Sequence, residues 1–155
     1  MNLYLVRHGE AKSKIQDPDR HLSQKGVRDV EKIAVFLRPL GLKLGNVWHS
    51  GKPRAAQTAD ILVSALSASH GAAERKGLTP NDPVQPLKDE LDRAEVDSMI
   101  VGHLPLLGKL VSVLVTGDEY SEVVNFQEAV VVCLGRREDG VWNVSWMMIP
   151  DLIPS

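Results

Sequence analysis

Three short clusters in this chain place histidine or arginine beside glycine, a combination suited to binding anions. The first is Arg7-His8-Gly9, the second runs from Ser50 to Ala59 and contains Arg54, and the third is Gly102-His103. A guanidinium such as that of Arg54 presents a planar fork that matches two phosphoryl oxygens. A glycine such as Gly9 lets the chain turn tightly and brings backbone N–H groups close to a bound anion. These residue types therefore predict an anion site that fits a phosphoryl group.

Each cluster follows directly on a short apolar run of the kind that forms a buried strand. These runs are Leu3 to Val6, Val47 to His49 and Ser98 to Val101. Because ligand sites in open parallel sheets lie at the carboxyl ends of the strands, we expect His8, His49-Ser50 and His103 to converge at one edge. Pro53 suits the first turn of a helix, and the N-terminus of that helix would favour an anion.

The remaining pattern predicts helices between these strands and a hairpin near the end of the chain. Ser23 is a suitable N-cap for a helix that continues to Leu37, and Gly41 is a suitable stop. The other predicted elements are a helix after Pro53, a short helix from Pro86 to Leu91, a buried helix from Leu106 to Val115, one short strand within residues 71–86, and strands from Ala129 to Leu134 and from Val141 to Met148. The sequence thus predicts one α/β domain over residues 1–155, with a mainly parallel sheet, helices on both faces and a C-terminal antiparallel hairpin.

Composition restricts the classes of function. The net charge of −2 argues against a nucleic-acid partner that binds through overall charge. No apolar stretch approaches the roughly 20 residues that cross a bilayer, so we expect no membrane partner. Cys133 is the only cysteine and lies in an apolar run, so we expect a buried thiol and no intrachain disulfide. Because the amino terminus has no basic leader, we expect a cytoplasmic protein.

A set of motifs in order from residue 3 to about 115 resembles the histidine phosphatase superfamily, also called the phosphoglycerate mutase-like family. The motifs are Arg7 to Ala11, Arg20 to Ser23 with Gly26, Ser50 to Ala59, Leu78 to Pro80 and Gly102 to Leu106. Within this family the chain looks most similar to the short bacterial phosphohistidine phosphatases of the SixA type. The resemblance implies a phosphoglycerate mutase-like fold, hydrolase activity and no metal or organic cofactor.

The resemblance also implies catalytic roles for four residues. His8 would be the nucleophile, which attacks phosphorus to give a phosphohistidine intermediate. Arg7, Arg54 and His103 would surround the phosphoryl oxygens and stabilise the charge that spreads over them in transfer. His8 must be neutral to attack, and we expect the nearby arginines to lower its pKa and a backbone carbonyl near Gly9 to hold one ring nitrogen. His103 is either a neutral contact or a protonated donor.

Four further residues are candidates for substrate binding, and they are Gly9, Arg20, Ser50 and Asp17. Gly9 would offer backbone N–H groups to the anion. Arg20 aligns with an active-site arginine of the SixA type, and a surface salt bridge is the alternative. Ser50 binds or orients the phosphoryl group, or it caps the next helix. Asp17 lies in the first active-site loop, where capping that loop is its alternative.

The proton donor expected of many family members is missing from the sequence. They carry a glutamate that protonates an alcohol leaving group, and Asp82, Glu90 and Asp17 lie in suitable regions but in no diagnostic motif. Imidazole leaves more readily than an alkoxide because its ring is protonated near neutral pH. The missing acid therefore favours a phosphoramidate substrate, and the short chain leaves the site open to a side chain on another protein.

These observations predict a phosphatase for phosphohistidine on a protein, with several alternatives. A phosphatase for small phosphate esters would use the same residues on a small phosphorylated substrate. A mutase is disfavoured because the chain has little room for a roof over its substrate, and a non-catalytic phosphate-binding module is disfavoured by the intact catalytic set. Zinc held by His8, His49 and His103 is disfavoured because the neighbouring arginines would repel a cation.

Overall fold

A computed structural model describes the chain from Met1 to Ser155. The strands are β1 (Asn2–Arg7), β2 (Lys43–Leu44), β3 (Asn46–His49), β4 (Ser67–Ala68), β5 (Ala72–Glu74), β6 (Ser98–Gly102), β7 (Val131–Arg136) and β8 (Trp142–Met148). The α-helices are α1 (Gln24–Leu37), α2 (Pro53–Val63), α3 (Gln85–Arg93) and α4 (Leu106–Thr116), and short 3-10 helices span Arg38–Leu40 and Pro150–Leu152. None of the helices has the length and apolar composition that crossing a membrane requires.

The main sheet contains six strands in the order β5-β3-β6-β1-β7-β8. The first four of these run parallel, whereas β7 and β8 are antiparallel additions at one side. The mainly parallel sheet and the C-terminal hairpin are therefore confirmed. Arg7 lies opposite Gly102, and His49 lies opposite Val101, so the three central strands end at nearly the same level. The residues that follow these three strands therefore lie at the same edge of the sheet.

Helices cover both faces of this sheet, as the sequence predicts. Successive side chains of a strand point to opposite faces, and β1 shows the consequence. Leu3 and Leu5 are buried with residues of α3 and α4, whereas Tyr4 and Val6 are buried with residues of α1 and α2. Each fully buried aliphatic side chain stabilises the fold by about 1.5–3 kcal/mol, so the two cores hold the strand ends firmly in place.

The predicted ends of the first helix are confirmed. The Ser23 hydroxyl accepts a hydrogen bond from the Gly26 N–H at 3.0 Å, which satisfies a free donor in the first turn of α1. The chain then ends its helical course at Gly41, which has a left-handed backbone with φ of +60°. The second helix begins at Pro53, also as predicted.

Three features differ from the sequence-based expectation. β2 and β4 form a separate two-stranded parallel sheet, which was missed because strands of two residues show no periodicity. The short helix predicted from Pro86 to Leu91 is longer, from Gln85 to Arg93. The strand predicted from Ala129 begins at Val131, because Ala129 has a left-handed backbone with φ of +63° and its N–H lies 3.0 Å from Arg7 O and 3.2 Å from His8 O.

The single cysteine is a core residue. Cys133 lies on β7 with 2% of its surface exposed. Burial raises the pKa of its thiol to about 11, and a protonated, buried thiol is unreactive. The prediction of a buried thiol is confirmed.

Candidate active site

The imidazole of His8 is held in one orientation at the end of β1. Its backbone N–H donates to Gly102 O at 3.1 Å, and its ring Nδ1 lies 2.7 Å from Gly9 O. A carbonyl can only accept, so Nδ1 carries the hydrogen and the lone pair of the ring is on Nε2. The predicted carbonyl contact is therefore present, and it leaves Nε2 in the form that can attack an electrophile.

The same ring is neutral near pH 7. The pKa of His8 is lowered to about 4, first because the ring is buried, and further by the charges of Arg54, Arg7 and Arg20. The hydrogen bond to Gly9 O raises the pKa, but this effect is smaller than that of burial. The sequence predicts the direction of this shift, but it assigns the shift to the arginines, whereas burial is the larger cause.

His103 faces His8 from the end of β6. The two ring centroids are 5.0 Å apart, and the ring planes are inclined by 54°. Burial, the proximity of the His8 ring and the charges of Arg54, Lys52 and Arg7 lower the pKa of His103 to about 3. Of the two states left open by the sequence, the neutral one is thus the state of the unliganded protein. Its Nδ1 is buried with no hydrogen-bond partner.

Ser50 controls the orientation of the second imidazole. The Ser50 hydroxyl lies 2.6 Å from Nε2 of His103 and also accepts the N–H of Lys52 at 3.3 Å. The contact with Lys52 lies in the turn before α2, which has no side-chain cap, so the capping alternative is not met; a contact of Ser50 with the phosphoryl group stays a prediction. The structure thus gives Ser50 a positioning role toward His103.

Two arginines at this edge have donor groups that the protein leaves free. Arg7 donates from Nη1 to Phe126 O at 2.9 Å, but its Nε is buried without a partner. Arg54 takes part in none of the ion pairs, and its pKa is lowered by burial and by the charge of Arg20. A buried donor without a partner costs about 1–3 kcal/mol, so such groups are rare unless a ligand uses them.

Arg20 lies beside these residues, as its place in the motif predicts. Its charge acts on both His8 and Arg54, and its Nε donates to Lys12 O at 3.0 Å. The backbone of Arg20 is left-handed, with φ of +52°, a conformation that is uncommon for residues other than glycine. No acidic group pairs with Arg20, so the salt-bridge alternative does not hold.

The substrate contact predicted for Gly9 requires a correction. The Gly9 N–H donates to Oγ1 of Thr58 at 3.2 Å and is not free to meet an anion. The absence of a side chain matters for packing instead, since a Cβ on Gly9 would lie 2.9 Å from both Gly26 O and Cγ2 of Val30. Gly9 therefore allows α1 to approach the end of β1 closely.

Thr58 was not identified from the sequence as a site residue. It is fully buried, and besides accepting from Gly9 it donates to Arg54 O at 2.8 Å. It thus links the turn after His8 to the helix that carries Arg54. The available signal was its place four residues after Arg54 within the second cluster, since residues i and i+4 share a helix face.

Asp17 matches its capping alternative, and the structure does not support the predicted substrate contact. Its carboxylate accepts the backbone N–H groups of Asp19 at 3.1 Å and of His21 at 2.9 Å, and it lies 2.7 Å from Nδ1 of His21. The hydrogen bonds from His21 are the main reason that the pKa of Asp17 is lowered to about 2. Asp17 therefore stabilises the loop between β1 and α1.

The other carboxylates considered as acids have structural partners. Asp82 accepts hydrogen bonds from the N–H and the hydroxyl of Thr79 at 2.8 and 2.5 Å. Glu90 pairs with Arg75, with 2.7 Å between Oε2 and Nη1. Neither carboxylate is presented as a free proton donor.

The zinc alternative also lacks the required geometry. The ring nitrogens of His8, His49 and His103 do not come together as a ligand set. Nδ1 of His49 instead accepts the Gly51 N–H at 3.0 Å. The edge of the sheet therefore combines neutral imidazoles with guanidinium groups, an arrangement that suits an anion.

Comparison with known proteins agrees with this arrangement. Residues 3–78 match the family model described as "Histidine phosphatase superfamily (branch 1)". The chain is 31% identical over 141 residues to an uncharacterized protein of Picosynechococcus sp., covering 86% of this chain and 84% of that protein. It is 25% identical over 155 residues to the phosphohistidine phosphatase SixA of Escherichia coli, covering 97% of this chain and 94% of the relative.

A solved structure extends the similarity to three dimensions. The structure of the protein histidine phosphatase SixA complexed with tungstate superposes with a TM-score of 0.84 at 25% identity, covering 97% of this chain and 98% of the other. The mixed sheet, the flanking helices and the C-terminal antiparallel strands are therefore those of the phosphoglycerate mutase-like fold. This chain belongs to the histidine phosphatase superfamily and is a phosphatase of the hydrolase class.

Proposed function

We propose that this phosphatase removes the phosphoryl group from phosphohistidine on proteins, through a phosphohistidine intermediate on its own His8. The observation that carries the proposal is the neutral His8 ring with its lone pair on Nε2. It is accompanied by two buried side-chain nitrogens without partners, Nε of Arg7, which is a donor, and Nδ1 of His103, which is a donor when it carries the ring hydrogen. A bound phosphoryl group would accept hydrogen bonds from such donors and remove the cost of leaving them unpaired.

The reaction has two displacements at phosphorus. In the first, Nε2 of His8 bonds to phosphorus while the bond from phosphorus to the substrate imidazole breaks, and the departing ring takes up a proton. In the second, water attacks the phosphohistidine, inorganic phosphate leaves, and His8 is restored. Arg7, Arg54 and His103 stabilise the negative charge on the equatorial oxygens in both steps.

The structural roles of the three carboxylates considered as acids favour imidazole as the leaving group. Asp17, Asp82 and Glu90 are all engaged in structural hydrogen bonds or ion pairs. Imidazole has an ordinary pKa of about 6.5, so solvent can protonate the departing ring near neutral pH. An alkoxide is far more basic and needs a positioned acid for efficient departure. The SixA relative carries the name phosphohistidine phosphatase, which agrees with this choice.

Trapping tests the intermediate. After brief incubation with a labelled phosphohistidine peptide and rapid quenching, we expect label that is stable in alkali and lost in acid. His8→Ala should abolish both the label and turnover, whereas His70→Ala, at an exposed histidine, should retain both. Turnover retained by His8→Ala would exclude this mechanism.

Substrate comparison tests the proposed class. We expect kcat/KM for a phosphohistidine peptide to exceed that for alkyl phosphates by about 100-fold, the typical contribution of one positioned acid. Alkyl phosphates that are hydrolysed faster than phosphohistidine would instead assign the site to small phosphate esters.

A further inference from the structure

The segment from residue 11 to residue 21, here called the basic loop, projects beside the active site. It begins two residues after Gly9 and closes on itself through an antiparallel bridge between Ala11 and Leu22. The Leu22 N–H donates to Oε1 of Gln57 at 2.7 Å, one turn of α2 after Arg54. Both ends of the basic loop are therefore fixed to elements that carry catalytic groups.

The basic loop holds its own shape. The Lys12 N–H donates to His21 O at 2.9 Å, and the Asp17 N–H donates to Ser13 O at 2.9 Å. Ser13 and Gln16 exchange hydrogen bonds, since each backbone N–H donates to the other side chain at 3.1 and 3.2 Å. A loop with this many internal hydrogen bonds is already ordered before a partner arrives, which lowers the entropy lost on binding.

The tip of this ordered loop exposes an apolar residue next to two lysines. The side chain of Ile15 is 98% exposed, the highest exposure of any large hydrophobic residue in the protein. Lys12 and Lys14 are exposed and take part in no ion pair. An apolar side chain surrounded by polar and charged groups is the usual composition of the centre and rim of a protein interface.

The unpaired positive charge continues from the basic loop to the catalytic pocket. Arg20, Lys52 and Arg54 also take part in no ion pair, and their charges act on the catalytic histidines. Within the basic loop, Lys12, Lys14 and Arg20 outnumber Asp17 and Asp19, and Asp17 is engaged by His21, so the loop has a small net positive charge in a chain whose net charge is −2.

We infer that the basic loop docks an acidic surface on the phosphorylated protein, with Ile15 as the apolar contact and Lys12 and Lys14 as the charged contacts. This inference rests on the proposed function and adds the class of substrate surface that the site selects. An acidic surface complements the unpaired lysines and steers the substrate toward the pocket. A membrane fits less well, because lipid attraction generally takes clusters of four to eight basic residues or a broad apolar face.

Two matched phosphohistidine peptides measure the preference. One carries Asp and Glu beside the phosphohistidine, and the other carries Asn and Gln at the same positions. We expect kcat/KM of the wild-type protein to be about tenfold higher for the acidic peptide, and this ratio should fall toward one at high salt. The variant Lys12→Glu/Lys14→Glu should lose the ratio and keep wild-type turnover of the amide peptide and of free phosphohistidine.

Controls at the opposite end of the protein separate docking from general charge. Arg38→Glu/Lys43→Glu makes the same change of charge at exposed positions after α1 and on β2, and it should retain the wild-type ratio. Ile15→Asp should lower kcat/KM for both peptides but not for free phosphohistidine, whereas Val96→Asp, at a residue that is 49% exposed, should lower neither.

Each contrary outcome is distinct. A wild-type ratio near one, or a wild-type ratio retained by Lys12→Glu/Lys14→Glu, would overturn the docking surface while the phosphohistidine phosphatase activity stands. Equal loss of turnover for all three substrates would assign the lysines to the pocket instead. Binding of the wild-type protein to phosphatidylserine vesicles that the loop variant loses would assign the basic loop to a membrane. Failure to hydrolyse either phosphohistidine peptide as well as free phosphohistidine would reject the proposed function itself.

Discussion

The polar groups at the two ends of the central strands differ in whether the protein itself supplies their hydrogen-bond partners. At the amino end, Arg136 stacks beside the ring of Trp142 and donates from Nη1 to Leu91 O and from Nη2 to Ala94 O, both at 2.6 Å. Nε1 of Trp142 in turn donates to Asp92 at 2.9 Å. The hydrogen bonds join α3 and the residue after it to the terminal hairpin, and the contact between Arg136 and Trp142 joins the two strands of that hairpin, so this cluster stabilises the fold.

The carboxyl end has similar residue types but leaves their donors unused. Nε of Arg7 and Nδ1 of His103 are buried without partners, and Arg54 has no acidic partner. Burial lowers the pKa values of His8 and Arg54, and the charges of neighbouring arginines lower them further. The cations at the carboxyl ends of the strands therefore make the fold less stable than neutral residues would. Their free donors can bind an anion.

The difference teaches how to tell a structural arginine from a functional one. Residue type is the same in Arg136 and Arg54, and both lie near the sheet. What separates them is whether the protein itself satisfies the guanidinium. Substitutions at the carboxyl ends of the strands should therefore lower activity, and substitutions at the amino ends should lower stability.

Replacing Arg54 should have the largest effect, and it should fall on activity. We expect Arg54→Ala to lower kcat/KM for phosphohistidine about 1,000-fold, because charge on the transferring phosphoryl group loses a guanidinium partner. The free energy of unfolding in urea should change by less than about 0.5 kcal/mol, since Arg54 has no ion pair to lose. A large loss of stability with normal kcat/KM would reverse the assignment.

Replacing Arg136 should have the next largest effect, and it should fall on stability. We expect Arg136→Ala to lower the free energy of unfolding by about 3 kcal/mol, because two carbonyls lose a charged donor and Trp142 loses its stacked partner. Urea unfolding measures this change, and kcat/KM measured well below the new midpoint should match the wild type. If kcat/KM falls as steeply as in Arg54→Ala, the two ends are not independent.

Most of the fold could be predicted because its signals are local. The cap at Ser23, the stop at Gly41 and the proline that begins α2 act on neighbouring backbone groups, and they are visible in the sequence. The convergence of His8 and His103 also follows from sequence, since parallel strands bring their carboxyl ends to one edge. Such features need no knowledge of distant contacts.

The details that could not be predicted depend on contacts between distant segments. Gly9 has the sequence context of an anion-binding glycine, but in the structure α1 packs closely against it and its N–H donates to Thr58 of α2. The neutrality of His8 was attributed to the arginines because their charges are visible in the sequence, whereas its burial is a property of the assembled fold. The left-handed turn at Ala129 likewise exists only where the chain meets the end of β1.

Low pH should destabilise the fold, because two buried histidines lie at the carboxyl ends of the central strands. His8 and His103 have pKa values lowered to about 4 and about 3 in the folded protein, while the unfolded chain protonates them near 6.5. The unfolded state therefore binds more protons below about pH 6.5, and stability falls as pH decreases. Between pH 7 and pH 5 we expect a loss of about 2 kcal/mol for each of the two histidines.

Urea unfolding across this pH range measures the loss. His103→Gln should flatten the dependence on pH by about half, because one of the two buried rings is removed. His70→Gln, at an exposed position, should keep the wild-type dependence. An equally steep dependence in His103→Gln would show that the acid sensitivity arises elsewhere in the protein.

Inorganic phosphate should have the smallest effect, and it should again distinguish the two ends. A ligand that binds only the folded protein at ten times its dissociation constant stabilises it by about 1.4 kcal/mol, which for a chain of this size raises Tm by roughly 3–6 °C. The wild type and Arg136→Ala should show the same shift on adding phosphate, although Arg136→Ala starts from a lower Tm. Arg54→Ala should show little increase in Tm at the same phosphate concentration. The donors that would bind phosphate lie at the end of the sheet where Arg54 lies. A full shift in Arg54→Ala would place the phosphate somewhere other than beside His8.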